Sequence, residues 1–159
     1  MRPQTIAVLA TVFLASFALA QARRPPRFED LPVTRQYRGV PAHPDFSTNS
    51  GSRRFHTRTT EGARAGPNFA GEWTIITWGC GTSCQSGLMV SARTGRIVDL
   101  PRPMSRGAVY RKSSRLLILD PVDGTVQPYE MPYAYYYEWH GTAFLLRDSV
   151  LATAADSAR

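Results

Sequence analysis

The chain has 159 residues, of which 43% are apolar, and this composition fits one compact domain while excluding both wholesale disorder and two separate cores. Lys and Arg outnumber Asp and Glu by 19 to 12, and all but one of these cations are arginines. Codon usage can produce such a bias, so net charge alone identifies no partner. The 12 prolines and 12 glycines predict many turns.

Residues 1–20 have the three parts of a secretory signal peptide. Arg2 supplies the basic start, an apolar stretch covers residues 6–19, and Ala18 and Ala20 are the small residues before the cut. The stretch is shorter than the roughly 20 apolar residues of a spanning helix, and no second one follows. We therefore expect cleavage after Ala20 and a periplasmic or secreted protein without a transmembrane segment.

Residues 21–51 predict an irregular arm rich in proline and arginine, because the apolar residues there follow no steady period. The basic excess begins here, since residues 21–64 hold nine arginines against four acidic residues and the remainder of the chain is nearly balanced. The arm contributes Arg23, Arg24, Arg27, Arg35 and Arg38. The segment that follows it contributes Arg53, Arg54, Arg58 and Arg64.

The rest of the chain predicts one helix and then strands. Residues 50–66 favour a short helix, with Ser50 as its N-cap and Gly66 at its end. Runs of β-branched and aromatic residues predict strands at 72–78, 87–91, 96–100, 116–119, 125–130, 133–139 and 142–147. We predict an α+β, mainly β fold, an antiparallel meander of about six or seven strands with one N-terminal helix. It forms a single domain over residues 52–149, with a C-terminal tail over residues 150–159.

Cys80 and Cys84 close a glycine-rich loop between two of the predicted strands. Facing cysteines in a hairpin form a disulfide in an oxidising compartment, and this bridge would hold the loop in one shape. Redox or nucleophilic chemistry is the alternative. The spacing lacks the two-residue gap and the βαβ setting of thioredoxin-like proteins, so a structural bridge is favoured.

Three segments near this loop resemble those of a group of small secreted bacterial proteins of uncharacterised function. The segments are GPNFAG at residues 66–71, WGCGTSCQSG at 78–87 and ARTG at 92–95. The resemblance implies a bacterial envelope or secreted protein. It implies no activity.

Several kinds of catalytic and metal site have no support in the sequence. A Gly-x-Ser-x-Gly nucleophile elbow and a phosphate-binding glycine loop are both missing. His43, His56 and His140 are too far apart in sequence to form a paired metal-ligand motif, and Asp120 and Asp123 fit a turn better than a calcium loop. We therefore expect no metal and no cofactor.

The predicted strand 133–140 divides its side chains between two faces. One face carries Tyr133, Tyr135, Tyr137 and Trp139, which we expect to fill the core. The other carries Tyr136, Glu138 and His140, where Glu138 and His140 are a candidate acid and base. If the loop before the first strand packs near the disulfide loop, the candidate ligand-binding residues are Asn68, Glu72, Gln85 and Tyr136.

These features favour a small secreted or periplasmic domain that is a non-catalytic, envelope-associated binding module. The alternative is a small hydrolase that acts on envelope carbohydrate or peptide through Glu138 and His140. The arginines predict anionic envelope polymers, lipid headgroups or an acidic protein as partners. Export argues against nucleic acid. The competing interpretation is that the arginines are only solvated surface.

Overall fold

The computed structural model describes residues 24–122 and 132–151, and these contain one α-helix and seven β-strands. The helix α1 spans His56–Ala63 and is preceded by 3-10 turns at Phe28–Asp30 and Ser50–Phe55. The strands are β1 Trp73–Gly81, β2 Cys84–Ser91, β3 Ile97–Asp99, β4 Ala108–Tyr110, β5 Leu116–Leu119, β6 Tyr133–Trp139 and β7 Phe144–Leu151. This content confirms the predicted β-rich α+β class.

The strands form two antiparallel sheets, with the order β1-β2-β3 in the first and β4-β5-β6-β7 in the second. The predicted single meander is therefore wrong in its pairing, because the ladder stops after β3. Pro101 and Pro103 follow that strand, and proline has no N–H to donate to a neighbouring strand. The chain crosses to the second sheet and forms β4, a three-residue strand that the sequence pattern did not predict.

The main core lies between the two sheets. Trp73, Ile75 and Met89 extend from the first sheet to meet Leu117 and Trp139 of the second, and all five are buried. Alternation along the strands explains why these side chains meet in the core, because every second side chain of a strand points to the same face of the sheet. Burial of these large apolar side chains supplies most of the stabilisation that holds the sheets together.

The opposite face of the first sheet is covered by α1. Ala63 of the helix packs with Ile76, Trp78 and Leu88, and Phe55 lies against this cluster at the junction of the 3-10 turn and the helix. The predicted helix over 50–66 is therefore a 3-10 turn followed by a short α-helix. Three threonines in this segment disfavour a longer α-helix.

The arm packs along both sheets. Near its start, Val33 N donates to Ser113 O at 3.0 Å, which ties the arm to the loop before β5. Further on, Asp45 N donates to Gly95 O at 2.8 Å, which ties it to the turn before β3. The arm therefore connects the second sheet to the first.

Some expectations fall outside the described residues. They are the signal peptide over 1–20, the strand over 125–130 and most of the tail over 150–159, although β7 extends to Leu151. Within residues 24–122 and 132–151, no helix has the length and apolar character needed to cross a membrane.

Candidate functional site

The two cysteines form the predicted disulfide. Cys80 and Cys84 are bonded across the tip of the β1–β2 hairpin, with their Cα atoms 5.1 Å apart. The strand register is irregular between Gly79 and Gly81, next to the bridge. Ser83 has a φ of 50°, a left-handed conformation that the short covalent ring holds in place. The bridge thus shapes an exposed loop.

The side chains of β6 divide between two faces as the sequence predicts. Trp139 is 2% exposed in the core, and Tyr135 and Tyr137 pack against the same cluster. Tyr133, at the end of the strand, is 38% exposed and is not a core residue. The alternate face is covered in part by the arm, and Tyr136 lines a depression of about 370 Å³ there together with Phe28.

Glu138 is the centre of a group of charges on this covered face. Its side chain is 4% exposed, and its Oε1 accepts from Arg115 Nη1 at 2.6 Å. Its Oε2 lies 3.2 Å from both Arg147 Nη1 and His140 Nε2. Both oxygens are therefore occupied, and the carboxylate holds three side chains in place. Sequence reasoning selected Glu138 and His140 but missed both arginines, because Arg115 lies just before β5 and Arg147 lies on β7.

A cleft of about 480 Å³ opens next to this group. Arg35, Arg93 and Arg115 line it together with Glu72 and His140, two of the predicted site residues. Glu72 accepts a hydrogen bond from Arg93 Nε at 2.8 Å. The cleft therefore combines three guanidinium groups, one imidazole and one carboxylate from distant parts of the chain.

Two of the other predicted site residues have roles in the fold. The Asn68 side chain accepts from Ile75 N at 2.8 Å and donates to Ile75 O at 3.1 Å, so it pairs with β1 as a neighbouring strand would. The Gln85 backbone exchanges two hydrogen bonds with Met104. Thus Glu72 and His140 line the cleft and Glu138 lies behind it in contact with Arg115 and His140, whereas Asn68, Gln85 and Tyr136 lie elsewhere.

A second depression lies between α1 and the disulfide hairpin, and we call it the basic groove. It has a volume of about 490 Å³ and is lined by three arginines and one histidine, Arg53, Arg54, Arg58 and His56. Trp78 and Phe55 form part of its wall, with their ring centroids 4.3 Å apart. Among the described residues, none of these three arginines forms an ion pair with a carboxylate.

Aromatic contacts help to position Arg54 and His56 in the basic groove. The Arg54 guanidinium carbon lies 5.2 Å from the centre of the Phe55 ring. His56 stacks on Phe46 of the arm, with ring centroids 4.5 Å apart. The sequence named the arginines of this segment, but it did not indicate that His56, Phe55 and Trp78 would join them. A cation held over an aromatic ring keeps its N–H groups free for an anion.

The arginines of the arm are arranged differently. Arg24 forms two hydrogen bonds with the Asp30 carboxylate, at 2.7 and 3.0 Å. The Arg24 side chain and the backbone N–H of Arg27 lower the pKa of Asp30 to about 2. Arg35 lies in the cleft and Arg38 is exposed, so these residues do not form one basic surface. Arg23 lies outside the described residues.

Comparisons of the chain with protein-family models, with curated proteins and with solved structures found no match. Within the described part of the chain, no three side chains of His, Cys, Asp or Glu come together as a metal site. The basic groove and the cleft are therefore identified as candidate sites by their geometry.

Proposed function

We propose that this protein is an exported, non-catalytic binding module whose basic groove holds an anionic polymer of the cell envelope. One observation carries the proposal: Arg53, Arg54 and Arg58 line the same groove with His56, and no carboxylate of the described residues neutralises these arginines. In contrast, Arg24, Arg93, Arg111 and Arg115 each pair with a carboxylate.

The surroundings of the groove suit a repeating anionic ligand. Guanidinium groups form paired hydrogen bonds with carboxylates and phosphates, and three of them in one groove can contact successive charges of a polymer. The disulfide fixes the hairpin beside the groove, so little order has to be gained on binding. Structural disulfides form and persist outside the cytoplasm, so the Cys80–Cys84 bridge supports export.

The hydrolase alternative has less support. Glu138 holds Arg115, Arg147 and His140, and only 4% of its side chain is exposed. A general acid or base must come within hydrogen-bond distance of the substrate, and Glu138 faces other side chains instead. This arrangement suits a residue that positions other side chains better than one that acts on a substrate.

Charge reversal tests the binding proposal. The variant Arg53→Glu, Arg54→Glu, Arg58→Glu should bind polygalacturonate at least about a hundredfold more weakly, since three lost contacts of about 1 kcal/mol each amount to that factor. The matched control carries the same charge change away from the groove: Arg27→Glu, Arg38→Glu, Arg64→Glu. Affinity is measured by titration calorimetry, and binding should weaken as salt rises.

The outcomes of this test are distinct. Equal loss in both triple variants would show that only net charge matters and would refute the groove as the site. Binding to vesicles of anionic lipid but not to the polymer would assign lipid headgroups as the partner instead. Binding to neither at low salt would leave the arginines as solvated surface and refute the proposal.

Export is tested separately by the intact mass of the protein from its natural host. We expect the mass of a chain that begins at Gln21, after cleavage of residues 1–20. A species that retains Met1 to Ala20 would contradict export by this signal.

A further inference from the structure

The cleft is built from separate chain segments that hydrogen bonds hold together. The arm segment that contains Arg35 is fixed on one side, because Tyr37 N donates to Gly71 O at 2.9 Å. Gly71 N in turn donates to Lys112 O at 2.8 Å, in the turn before Arg115. The walls of the cleft are thus connected through the backbone, and a ligand would meet a preformed site.

Carboxylates hold two of the three arginines of the cleft. Glu72 holds Arg93 by its Nε, and Glu138 holds Arg115 by one Nη. A guanidinium group has five N–H donors, so each retains others for a ligand, and the two side chains are 55% and 37% exposed. Arg35 has no hydrogen-bond or ion-pair partner among the described residues. Glu72 and Glu138 thus orient the donors of Arg93 and Arg115, and a ligand does not need to displace either carboxylate, whereas the whole Arg35 guanidinium is free for a ligand.

The remaining lining of the cleft is mainly apolar, with Thr34 as a further polar side chain. It includes Pro32, Val33, Ala70, Trp73 and Trp139, and the two tryptophan rings meet edge to face with centroids 5.0 Å apart. A ligand that matches both the guanidinium groups and the apolar lining has a carboxylate for the former and an apolar body for the latter. The volume of about 480 Å³ is in the range of small-molecule sites.

We infer that the cleft is a second binding site, for a small organic carboxylate with an apolar body. The site is separate from the basic groove and does not depend on the function proposed above. The carboxylate lies between Arg35 and Arg115, with His140 beside it, and the body lies on Pro32 and Val33. Such a ligand is either a free carboxylic acid or the C-terminal residue of a peptide.

The first experiment uses probes that differ in one group. We expect 3-phenylpropionate to bind and to change the tryptophan fluorescence, since Trp73 and Trp139 line the cleft. The neutral analogue 3-phenylpropanol should bind at least about tenfold more weakly, because it lacks the charge-assisted hydrogen bonds. Equal affinity for the two probes, or no binding of either, would refute a carboxylate site.

A second pair of probes separates the two sources of the carboxylate. The peptide Ala-Ala-Phe and its C-terminal amide are titrated against the same protein. Tighter binding of the free-acid peptide than of 3-phenylpropionate supports a peptide terminus as the ligand. Tighter binding of 3-phenylpropionate supports a free acid. A peptide amide that binds as well as the peptide acid would contradict the carboxylate proposal.

The variant Arg35→Gln locates the site. It removes a guanidinium that pairs with no carboxylate of the described residues, so the fold should be unaffected, whereas 3-phenylpropionate should bind about tenfold more weakly. Arg38→Gln is the matched control, three residues along the arm and outside the cleft, and should leave affinity unchanged. Unchanged affinity in Arg35→Gln, or an equal loss in Arg38→Gln, would overturn the assignment.

The two proposals can fail separately. The triple variant of the basic groove should retain 3-phenylpropionate binding, and Arg35→Gln should retain polygalacturonate binding. If the triple variant loses both ligands, the cleft is not an independent site and this inference fails. If Arg35→Gln loses 3-phenylpropionate binding, the inference is supported even when the wild-type protein does not bind polygalacturonate.

Discussion

Glu138→Gln tests whether a buried carboxylate organises the charged residues behind the cleft. The side chain keeps its shape and one oxygen acceptor but loses the charge that faces Arg115, Arg147 and His140. Hydrogen bonds that involve charged groups contribute about 1.5–3 kcal/mol to stability. The two arginine side chains are 37% and 40% exposed and can turn toward water, which reduces the loss.

We therefore expect Glu138→Gln to lower the free energy of unfolding by about 2 kcal/mol, which corresponds to a fall in Tm of about 4–8 °C for a chain of this size. Urea unfolding followed by tryptophan fluorescence measures the change, since Trp139 is the next residue and is buried. The matched control is Glu61→Gln, on the exposed surface of α1, which should change stability by less than about 0.5 kcal/mol.

A second variant makes the test more specific. Arg147→Gln removes one of the cations, and the double variant with Glu138→Gln should be less destabilised than the sum of the two single variants, because the partners interact directly. The reasoning is refuted if Glu138→Gln matches the control, or if the two single effects add without coupling. The first result would mean that the charged group contributes nothing to the fold, and the second that Glu138 and Arg147 do not interact energetically.

Three further predictions concern the hairpin, the arm and an exposed ion pair. Replacing both cysteines with serine should cost about 2 kcal/mol or less in urea unfolding and leave polymer binding largely intact. Loss of binding in a folded variant would instead show that the bridge is needed to shape the groove. Gly95→Ala should destabilise the protein by about 2 kcal/mol or more, because φ is 79° and a Cβ would meet the arm backbone. Gly141→Ala, with φ of 87° and open space, should cost clearly less, and equal losses would contradict a role for the arm. The pKa of Asp30 is lowered from 3.8 to about 2, so its contribution to stability is complete above pH 3.8 and is lost as pH falls through about 2. An NMR titration of the Asp30 carboxyl should show this midpoint, and Arg24→Gln should raise it; an unchanged midpoint would contradict the pairing.

Local patterns were sufficient to predict most strands and the disulfide. The hairpin of β1 and β2 combines aromatic and β-branched runs with a short loop that contains both cysteines, so the pairing and the bridge are local properties. The strand β4 was missed because three residues, Ala108–Tyr110, are too few to show a period. Its partner β5 has four apolar residues, which indicated a buried strand without indicating its neighbours.

The candidate sites, unlike the strands and the disulfide, could be predicted only in part from local patterns. Glu138 and His140 are two residues apart, so their shared face followed from the alternation of a strand. Their contacts with Arg115 and Arg147 depend on the pairing of β6 with β5 and β7. Arg35 joins the cleft only because the arm crosses the second sheet, and no periodicity encodes that path.

The sequence by itself determined the β-rich class, the hairpin with its disulfide, the excess of arginine near the N-terminus and the features of an export signal, because each depends on residues close together in the chain. Only the tertiary structure decided that the strands form two sheets, that the arm connects them, and which arginines are paired with carboxylates. Ion pairing depends on distances of a few ångströms between residues up to 82 positions apart, as for Arg111 and Glu29. Such distances are set by packing, which sums weak contacts over the whole core and leaves no local pattern in the sequence.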